Sequence, residues 1–333
     1  MTQKLAVVFG GSGLIGRYLV RHLAAAGWRV RVAVRDTRKA QFLKPAGDLG
    51  QISFIPASIT NPTEVAAAVH GADAVVNLVG VLFDIGKRSF QAIHVDGAAN
   101  VAKAAAQAGA KTLIHVSALG ADANSDSAYA RSKADGEAAV RAAFPAATIF
   151  RPSVVFGPED QFFNLYGLIA QVSPFLPFFT NTNPRSPEGT GSKFQLVYVG
   201  DVASALLQAI TDQKHAGKTY ELGGSRVYSM RDVVEIVNRE TMRNRTILGL
   251  PYITAWGQIA LGWVVRKLLG LGTPLLPSAD QIKLLKKGSV LTGNLPGLEA
   301  FGIQPTVAET IVPSYLKRFR ALQQNKKLRI AAR

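Results

Sequence analysis

Three glycines spaced three residues apart follow the first apolar run of the chain. The run "LAVVF" leads into "GGSGLIGRYL", so these glycines lie at the turn between a predicted strand and a predicted helix. Glycine at such a turn lets the backbone approach a pyrophosphate, and the N–H groups that open the helix face the phosphates. The sequence therefore predicts a nucleotide cradle formed by Gly10, Ser12, Gly13, Leu14, Ile15 and Gly16.

Short β-branched runs alternate with Ala-rich stretches through the first half of the chain. This alternation predicts an α/β fold with right-handed crossovers and a doubly wound parallel sheet. Ligands of such sheets bind at the carboxyl ends of the strands, where the winding direction reverses. The predicted strands cover residues 5–9, 29–34, 52–57, 74–80, 112–118 and 147–153, and the predicted helices cover 14–27, 62–71, 90–109 and 129–144.

The regular alternation ends after about Pro152. Residues 173–194, rich in Pro, Phe and Asn, predict a long loop, and strand and helix patterns return after it. We therefore expect a dinucleotide-binding domain over residues 1–155. A smaller, irregular C-terminal subdomain for substrate or partner docking, interleaved with the sheet, covers residues 156–316, and a basic tail covers 317–333.

The charge balance is strongly basic, with 38 Lys and Arg residues against 22 Asp and Glu residues and a net charge of +16. This excess implies an acidic partner such as anionic lipid, nucleic acid, an acidic protein face or a phosphorylated ligand. Cys is absent and the five His residues lack metal-ligand spacing, so we predict neither disulfides nor a metal site. The chain enters its first strand at once, which argues against a signal peptide and predicts a cytosolic location.

The residue that follows the second predicted strand bears on the choice of nucleotide. Arg35 stands where an NAD-specific site places a carboxylate for the ribose hydroxyls, and a guanidinium suits a 2′-phosphate. Asp36 follows immediately and offers the carboxylate role instead. Because Arg38 and Lys39 make the local field positive, the sequence favours NADP(H) over NAD(H).

Further motifs resemble the short-chain dehydrogenase/reductase superfamily, in its extended or atypical branch. They are the strand end "NLVG", "HVSA" with Ser117, "YARSK" with Tyr129 and Lys133, and "RPSVVFGPED". The resemblance implies a Rossmann sheet in which Tyr129 is the acid/base, Lys133 lowers its pKa and holds the nicotinamide ribose, and Ser117 positions the substrate oxygen. It also implies cofactor contacts at Leu78, Val79, Gly80, Pro152, Ser153 and Val154.

Two positions depart from the pattern of that superfamily. Ser58 and Ile59 stand where many relatives carry Asp and an apolar residue at the adenine, so a hydroxyl replaces a charged contact. His94 stands where many relatives carry an Asn that supports a proton-relay water. We interpret His94 as a packed helix residue.

A narrower resemblance covers longer stretches. The segments "VVFGGSGLIGRYLV", "HVSALGADANSDSAYARSKADGEAAVRAAF" and "NLPGLEAFGIQPT" are similar to the nucleotide-binding accessory subunit of respiratory complex I, NADH:quinone oxidoreductase, in its bacterial form. This resemblance implies a tightly held NADPH with a structural role and no established turnover. It implies core subunits near the quinone site as partners and a peripheral position on the cytoplasmic face of the bacterial inner membrane.

The C-terminal third fits such a docked position. Residues 317–333 carry seven Lys or Arg residues and no acidic residue, which favours an anionic membrane surface. The uncharged run Thr246–Val265 approaches the length of a membrane span, but Pro and Gly interrupt it. Tyr252–Leu269 predicts either a helix packed on the core or an interfacial helix. No recognition helix or aromatic–basic motif accompanies the charge, which argues against nucleic acid.

Two alternatives to an accessory subunit stay open. An NADP-dependent reductase or epimerase acting through Tyr129 is consistent with the intact set of Ser117, Tyr129 and Lys133. An NADP(H)-sensing regulatory protein is consistent with the same cradle.

Overall fold

The computed structural model describes residues 3–84, 86, 88–180, 189–252, 254 and 279–321. The chain divides into two compact units. The first comprises residues 1–153, 199–223 and 291–305, and the second comprises residues 154–198, 224–290 and 306–333.

In chain order the strands are β1 Leu5–Phe9, β2 Arg29–Val34, β3 Ile52–Pro56, β4 Ala74–Asn77, β5 Thr112–Val116, β6 Thr148–Pro152, β7 Val155–Phe156, β8 Phe175–Thr180, β9 Lys193–Phe194, β10 Val197–Tyr198, β11 Thr219–Leu222, β12 Tyr228–Ser229 and β13 Thr246–Pro251. The α-helices are α1 Leu14–Ala25, α2 Pro62–Val69, α3 Gly97–Gln107, α4 Ala128–Ala143, α5 Phe162–Val172, α6 Val199–Thr211, α7 Met230–Glu240, α8 Ala279–Lys287 and α9 Ala308–Leu316.

The described part of the first unit is built on a seven-stranded sheet with the order β11-β6-β5-β4-β1-β2-β3. Each neighbouring pair in this sheet runs parallel. The central strands β1, β4 and β5 are buried along their whole length, as is typical of parallel strands covered by helices on both faces. The predicted doubly wound α/β fold is therefore confirmed.

The helices of the first unit begin where the sequence supplies caps. Asn61 accepts hydrogen bonds from the first turn of α2, which starts with Pro62, and Ser127 caps α4 in the same way. The helix predicted over residues 90–109 is divided, because Gln91–Asp96 forms a π-helical turn before α3 begins at Gly97.

The winding direction reverses at β1, which lies between β4 and β2. Because all the strands of this sheet run parallel, the segments that follow β1, β2, β4, β5 and β6 emerge at the same edge of the sheet. This edge is the position where doubly wound folds bind their ligands. It carries the predicted site residues.

The second unit packs short strands and helices around an aromatic core. Its buried aromatic residues include Phe156, Phe163, Phe178, Phe194 and Tyr228. The loop predicted over residues 173–194 is wrong in part, because β8 forms there and pairs in parallel with β13. Along β8 exposed or partly exposed positions alternate with buried ones, so its Phe and Leu residues follow a strand period that the prolines conceal.

None of the described helices is long and apolar enough to cross a membrane. The predictions for the Tyr252–Leu269 segment and the basic tail fall largely on residues 253, 255–278 and 322–333, which lie outside the described residues. Of the uncharged run, Thr246–Pro251 forms β13.

Candidate functional site

The glycine cradle connects β1 to α1 in a backbone conformation that requires glycine. Gly10 has a φ of +77°, and its carbonyl accepts a hydrogen bond from the Gly13 N–H at 3.0 Å. Gly13 is the N-cap of α1 and offers no side chain to the first helical turn. The N–H groups that open α1 are therefore suited to an anion.

Close packing explains the remaining glycines of the cradle. A Cβ on Gly16 would lie 2.6 Å from the Gly11 Cα and would collide with the Gly10 carbonyl. A Cβ on Gly11, which the sequence analysis did not single out, would lie 2.8 Å from Val32 Cγ1. The second glycine of "GGSG" could have predicted this close packing of the turn against α1 and β2.

A basic side chain from α1 lies beside the cradle. Arg17 donates from its guanidinium to the carbonyl groups of Ser12 and Gly13, each at 3.3 Å. Its Cζ lies 4.9 Å from the ring centroid of Phe42, in the 3₁₀ turn Arg38–Ala46 after β2. Arg17, which directly follows the last glycine of the triplet, was not predicted from the sequence.

The end of β2 separates the roles of two adjacent charged residues. Arg35 is exposed and makes no ion pair with any residue that the structure describes. Asp36 accepts hydrogen bonds from the Arg38 backbone N–H at 3.0 Å and from its Nε at 3.4 Å. The carboxylate is thus engaged locally, whereas the guanidinium of Arg35 is available to a ligand.

The end of β3 holds the two residues predicted near the adenine. The Ser58 N–H donates to Glu64 Oε2 at 2.7 Å, and the Ser58 Oγ lies 2.8 Å from Thr60 Oγ1. The Ile59 side chain is buried against Gly97 of α3, and its carbonyl accepts from Asn100 Nδ2 at 3.0 Å. The segment is fixed by its neighbours, and the Ile59 side chain lies in the core.

The loop after β4, Leu78–Val81, lies beside α4. Asn77 Oδ1 accepts from the Val79 N–H at 3.1 Å and holds the start of the loop. A Cβ on Gly80 would lie 3.2 Å from Lys133 Nζ, so the glycine gives the lysine access to the loop. The structure therefore brings together two regions that are far apart in sequence.

Tyr129, Lys133 and Glu137 lie four residues apart on one face of α4. Lys133 is 5% exposed, and its Nζ lies 3.5 Å from the Val116 carbonyl. Glu137 is also buried and forms a bidentate pair with Arg151, with N–O distances of 2.9 and 2.7 Å. Burial lowers the pKa of Lys133 to about 8, while Glu137 opposes this shift. The Glu137–Arg151 pair was missed because its partners lie on different elements.

Tyr129 is packed by aromatic rings. The Phe90 and His94 rings meet it edge-on, with centroid distances of 5.8 and 5.4 Å. The family resemblance predicted that Lys133 lowers the pKa of Tyr129. In the structure burial instead raises the pKa of Tyr129 to about 12.

Ser117 follows β5 and is 4% exposed. Its Oγ has no hydrogen-bond partner among the described residues, although its N–H donates to the Phe150 carbonyl at 2.7 Å. A buried hydroxyl without a partner costs about 1–3 kcal/mol, so this position fits a bound group that supplies one. Together with the cradle and Lys133, Ser117 fits a nicotinamide dinucleotide.

The predicted contacts at the end of β6 and just beyond it belong to different units. Pro152 is buried and its carbonyl accepts from the Leu119 N–H at 2.9 Å, and the Ser153 N–H donates to the Leu222 carbonyl at 2.8 Å. Val154 begins the second unit, where it is partly buried against the aromatic core. Across the described ranges no three His, Asp or Glu side chains are grouped to hold a metal ion.

The parallel sheet, the glycine cradle and the Tyr129–Lys133 pair define a Rossmann-type protein of the short-chain dehydrogenase/reductase kind. Residues 6–223 match the model of the NAD dependent epimerase/dehydratase family, and the chain belongs to that family. The resemblance stated from the sequence motifs is thereby confirmed for the superfamily, and the 32% identical Neurospora oxidoreductase subunit described next confirms the narrower resemblance to a subunit of respiratory complex I.

Two curated relatives and one solved structure illustrate the relationship. The NADH-ubiquinone oxidoreductase 40 kDa subunit of Neurospora crassa mitochondria is 32% identical over 316 residues, 95% of this chain and 80% of that protein. Ceramide reductase of Caulobacter vibrioides is 35% identical over 206 residues, 62% of this chain and 60% of that protein. UDP-glucose 4-epimerase of Thermus thermophilus with NAD superposes with a TM-score of 0.67 at 18% identity, over 96% of this chain and 99% of that one, which shows the common fold.

Proposed function

We propose that this protein is an NADPH-binding accessory subunit of respiratory NADH:quinone oxidoreductase that holds its cofactor without turning it over. The observation that supports this most is the match over 95% of the chain to the 40 kDa subunit of the Neurospora oxidoreductase. That match extends well beyond the residues that the general family model covers. A likeness confined to the cradle would have supported nucleotide binding alone.

The choice of NADPH rests on the end of β2. Arg35 is exposed and makes no ion pair with other described residues, whereas Arg38 engages the neighbouring carboxylate of Asp36. A guanidinium binds a 2′-phosphate with charge-assisted hydrogen bonds, and an engaged carboxylate competes poorly for ribose hydroxyls. Arg17, beside the cradle, adds a second positive charge at this end of the site.

The structural role of the cofactor rests on the environment of Tyr129. NADPH supplies a hydride when it is bound to an active reductase, and such a reaction needs an acid with a pKa near the working pH. Burial gives Tyr129 a pKa of about 12, and aromatic rings cover two sides of its own ring. A phenol whose pKa is raised in this direction gives up its proton less readily at neutral pH. In this proposal Lys133 and Ser117 hold the nicotinamide end by hydrogen bonds.

Docking to partner subunits rests on an apolar face of α5. Leu165, Leu168 and Val172 are 55%, 50% and 76% exposed, and their spacing places them on one side of the helix. Contiguous exposed apolar side chains commonly mark an interaction surface. We assign this face to core subunits near the quinone site. The net charge of +16 and the basic tail favour a peripheral position at the anionic cytoplasmic surface of the bacterial inner membrane.

The proposal is tested in the native organism with a tagged full-length chain. We expect the tag to recover the membrane NADH dehydrogenase together with NADPH, which is released on denaturation and identified by chromatography. Leu165→Ser/Leu168→Ser/Val172→Ser should abolish recovery of the enzyme without loss of NADPH. The matched control, Leu49→Ser, changes a fully exposed leucine of the first unit and should have no effect. Recovery of the wild-type chain only as a free monomer would refute the proposal.

A second candidate is an NADP-dependent reductase acting through Tyr129. It is favoured by the likeness to the Caulobacter ceramide reductase and by the retained Ser117, Tyr129 and Lys133. Steady oxidation of NADPH with a carbonyl substrate, abolished by Tyr129→Phe, would establish this activity. The accessory-subunit proposal expects none, and expects Tyr129→Phe to retain bound NADPH.

A further inference from the structure

His94 lies in the π-helical turn Gln91–Asp96, directly before α3. Single π-helical turns are rare and are frequently found at functional sites. The turn packs tightly on α4 at Gly136, where a Cβ would collide with the His94 carbonyl. The backbone that carries His94 is therefore held against the helix that carries Tyr129 and Lys133.

The His94 side chain connects two segments by hydrogen bonds. Its Nε2 accepts from the Val81 N–H at 3.0 Å, at the end of the loop after β4. Its Nδ1 lies 2.8 Å from Ser132 Oγ, and this hydroxyl donates to the Tyr129 carbonyl at 2.8 Å. A continuous chain of hydrogen bonds thus runs from the loop to the first turn of α4.

The directions of these bonds define the tautomer of His94. Because Nε2 is an acceptor, the single proton of the neutral ring is on Nδ1 and is donated to Ser132 Oγ. Ser132 then uses its own proton for the Tyr129 carbonyl, so each group has a consistent role. Burial, reinforced by the nearby Lys133, lowers the pKa of His94 to about 3, so the ring is neutral at physiological pH.

The loop fixed in this way carries part of the predicted cofactor site. Gly80 precedes the anchored Val81, and a Cβ on Gly80 would lie 3.2 Å from Lys133 Nζ. Phe90 stacks on the His94 ring at a centroid distance of 5.4 Å and restricts its rotation. The anchored Val81 therefore lies one residue from the glycine that faces Lys133.

We infer that His94 is a positioning residue that locks the Leu78–Val81 loop onto α4 and thereby sets how tightly the cofactor is held. This inference rests on the proposed binding of NADPH, and it does not require membership of complex I. The side-chain hydrogen bonds of His94 go to Val81 and Ser132 and not to the cradle or Arg35, so its effect on the cofactor passes through these two residues. A packed core residue with no such role would affect folding alone.

The experiment measures the dissociation constant and dissociation rate of NADPH on the full chain at 25 °C, from NADPH fluorescence. His94→Leu removes both hydrogen bonds and keeps the apolar bulk, and we expect the dissociation constant to rise about tenfold. His94→Gln places an amide near the position of Nε2 and can again accept from Val81, so it should recover affinity to within about threefold of wild type. The emission of bound NADPH should shift in the leucine variant and return in the glutamine variant.

Ser132→Ala tests the other end of the chain of hydrogen bonds. We expect a smaller loss of affinity than for His94→Leu. The double variant His94→Leu/Ser132→Ala should bind no more weakly than His94→Leu alone, because both changes break one connection. If His94→Leu does not fold, Ser132→Ala decides the outcome, since it removes a single hydroxyl.

His215 provides a matched control in the same unit. It is 2% exposed, its Nδ1 lies 2.7 Å from the Tyr220 hydroxyl, and its ring stacks on Phe301. His215→Leu should lower the melting temperature and leave the NADPH dissociation constant unchanged. If the His94 and Ser132 variants also leave it unchanged, the inference is overturned while the proposed function stands. If wild-type protein does not bind NADPH, the proposed function fails, and the inference fails with it.

Discussion

The two ends of the candidate site are constructed from different materials. At the cradle end the chain offers backbone N–H groups, glycines and the exposed guanidinium of Arg35. At the α4 end it offers buried side chains, notably Lys133 and Ser117. The first end is defined by shape, and the second is defined by polar groups that have been removed from water.

This difference indicates which end of the site lowers the stability of the fold when no ligand is bound. A glycine turn costs the folded protein little, and exposed arginines keep their hydration. A buried ammonium whose pKa has fallen to about 8 and a buried hydroxyl without a partner among the described residues both oppose folding. The α4 end therefore gives the stronger physical indication of a bound group, although the cradle gives the clearer sequence motif.

At the cradle end, Gly16→Ala should have the largest effect on NADPH binding and on stability. The new Cβ would lie 2.6 Å from the Gly11 Cα, and backbone cannot rotate away as a side chain can. We expect NADPH binding to be lost and the free energy of unfolding to fall by about 3 kcal/mol, at the upper end of the usual cost of overpacking. Urea denaturation and NADPH titration measure the two effects.

Gly13→Ala is the control for that change. Its Cβ would lie 3.2 Å from the Gly10 carbonyl, which a small shift relieves. We expect it to fold with nearly wild-type stability. If the alanine at position 16 were tolerated as well as that at 13, the cradle would not be defined by close packing.

Lys133→Met should separate stability from binding at the α4 end. The pKa of Lys133 is about 8 in the folded protein against 10.5 for an ordinary lysine, so keeping it charged at pH 7 costs about 3 kcal/mol. Below pH 8 the whole cost is present. Between pH 8 and 10.5 the unfolded chain binds more protons than the folded chain, so the stability of the wild type rises with pH and the cost disappears.

The measurement compares wild type and variant by urea denaturation at pH 7 and pH 10. We expect Lys133→Met to be more stable at pH 7, by a margin that narrows at pH 10, and to bind NADPH poorly. Lys103→Met removes an exposed lysine of α3 and should change neither quantity. A variant less stable than wild type at pH 7 would mean that Lys133 contributes to the fold itself.

Features that depend on neighbouring residues could be predicted from the sequence, and contacts between distant segments could not. The strands, the cradle and the Tyr129–Lys133 pair follow from local patterns, because strand period, glycine spacing and helix period each involve neighbouring residues. The contact of Gly80 with Lys133 and the pair between Glu137 and Arg151 join segments whose proximity only the folded sheet creates. The strand β8 was missed because Pro177 interrupts its pattern and because its partner, β13, is distant in the sequence.

Arg35→Ser should have a smaller effect at the cradle end, confined to the affinity for NADPH. Loss of one charge-assisted contact to a 2′-phosphate is worth about 1.5–3 kcal/mol, so NADPH affinity should fall at least tenfold while NADH affinity is unchanged.

Arg29→Ser is the matched control, since it removes an exposed arginine from the other end of β2, about 20 Å away. Because screening by salt weakens contacts between exposed charges, the effect of Arg35→Ser should shrink between 0.05 and about 0.5 M salt. If both variants weakened NADPH equally, only the general positive field would matter. A loss confined to Arg35→Ser would instead make that side chain the one that distinguishes the two nucleotides, because Arg38 already engages Asp36.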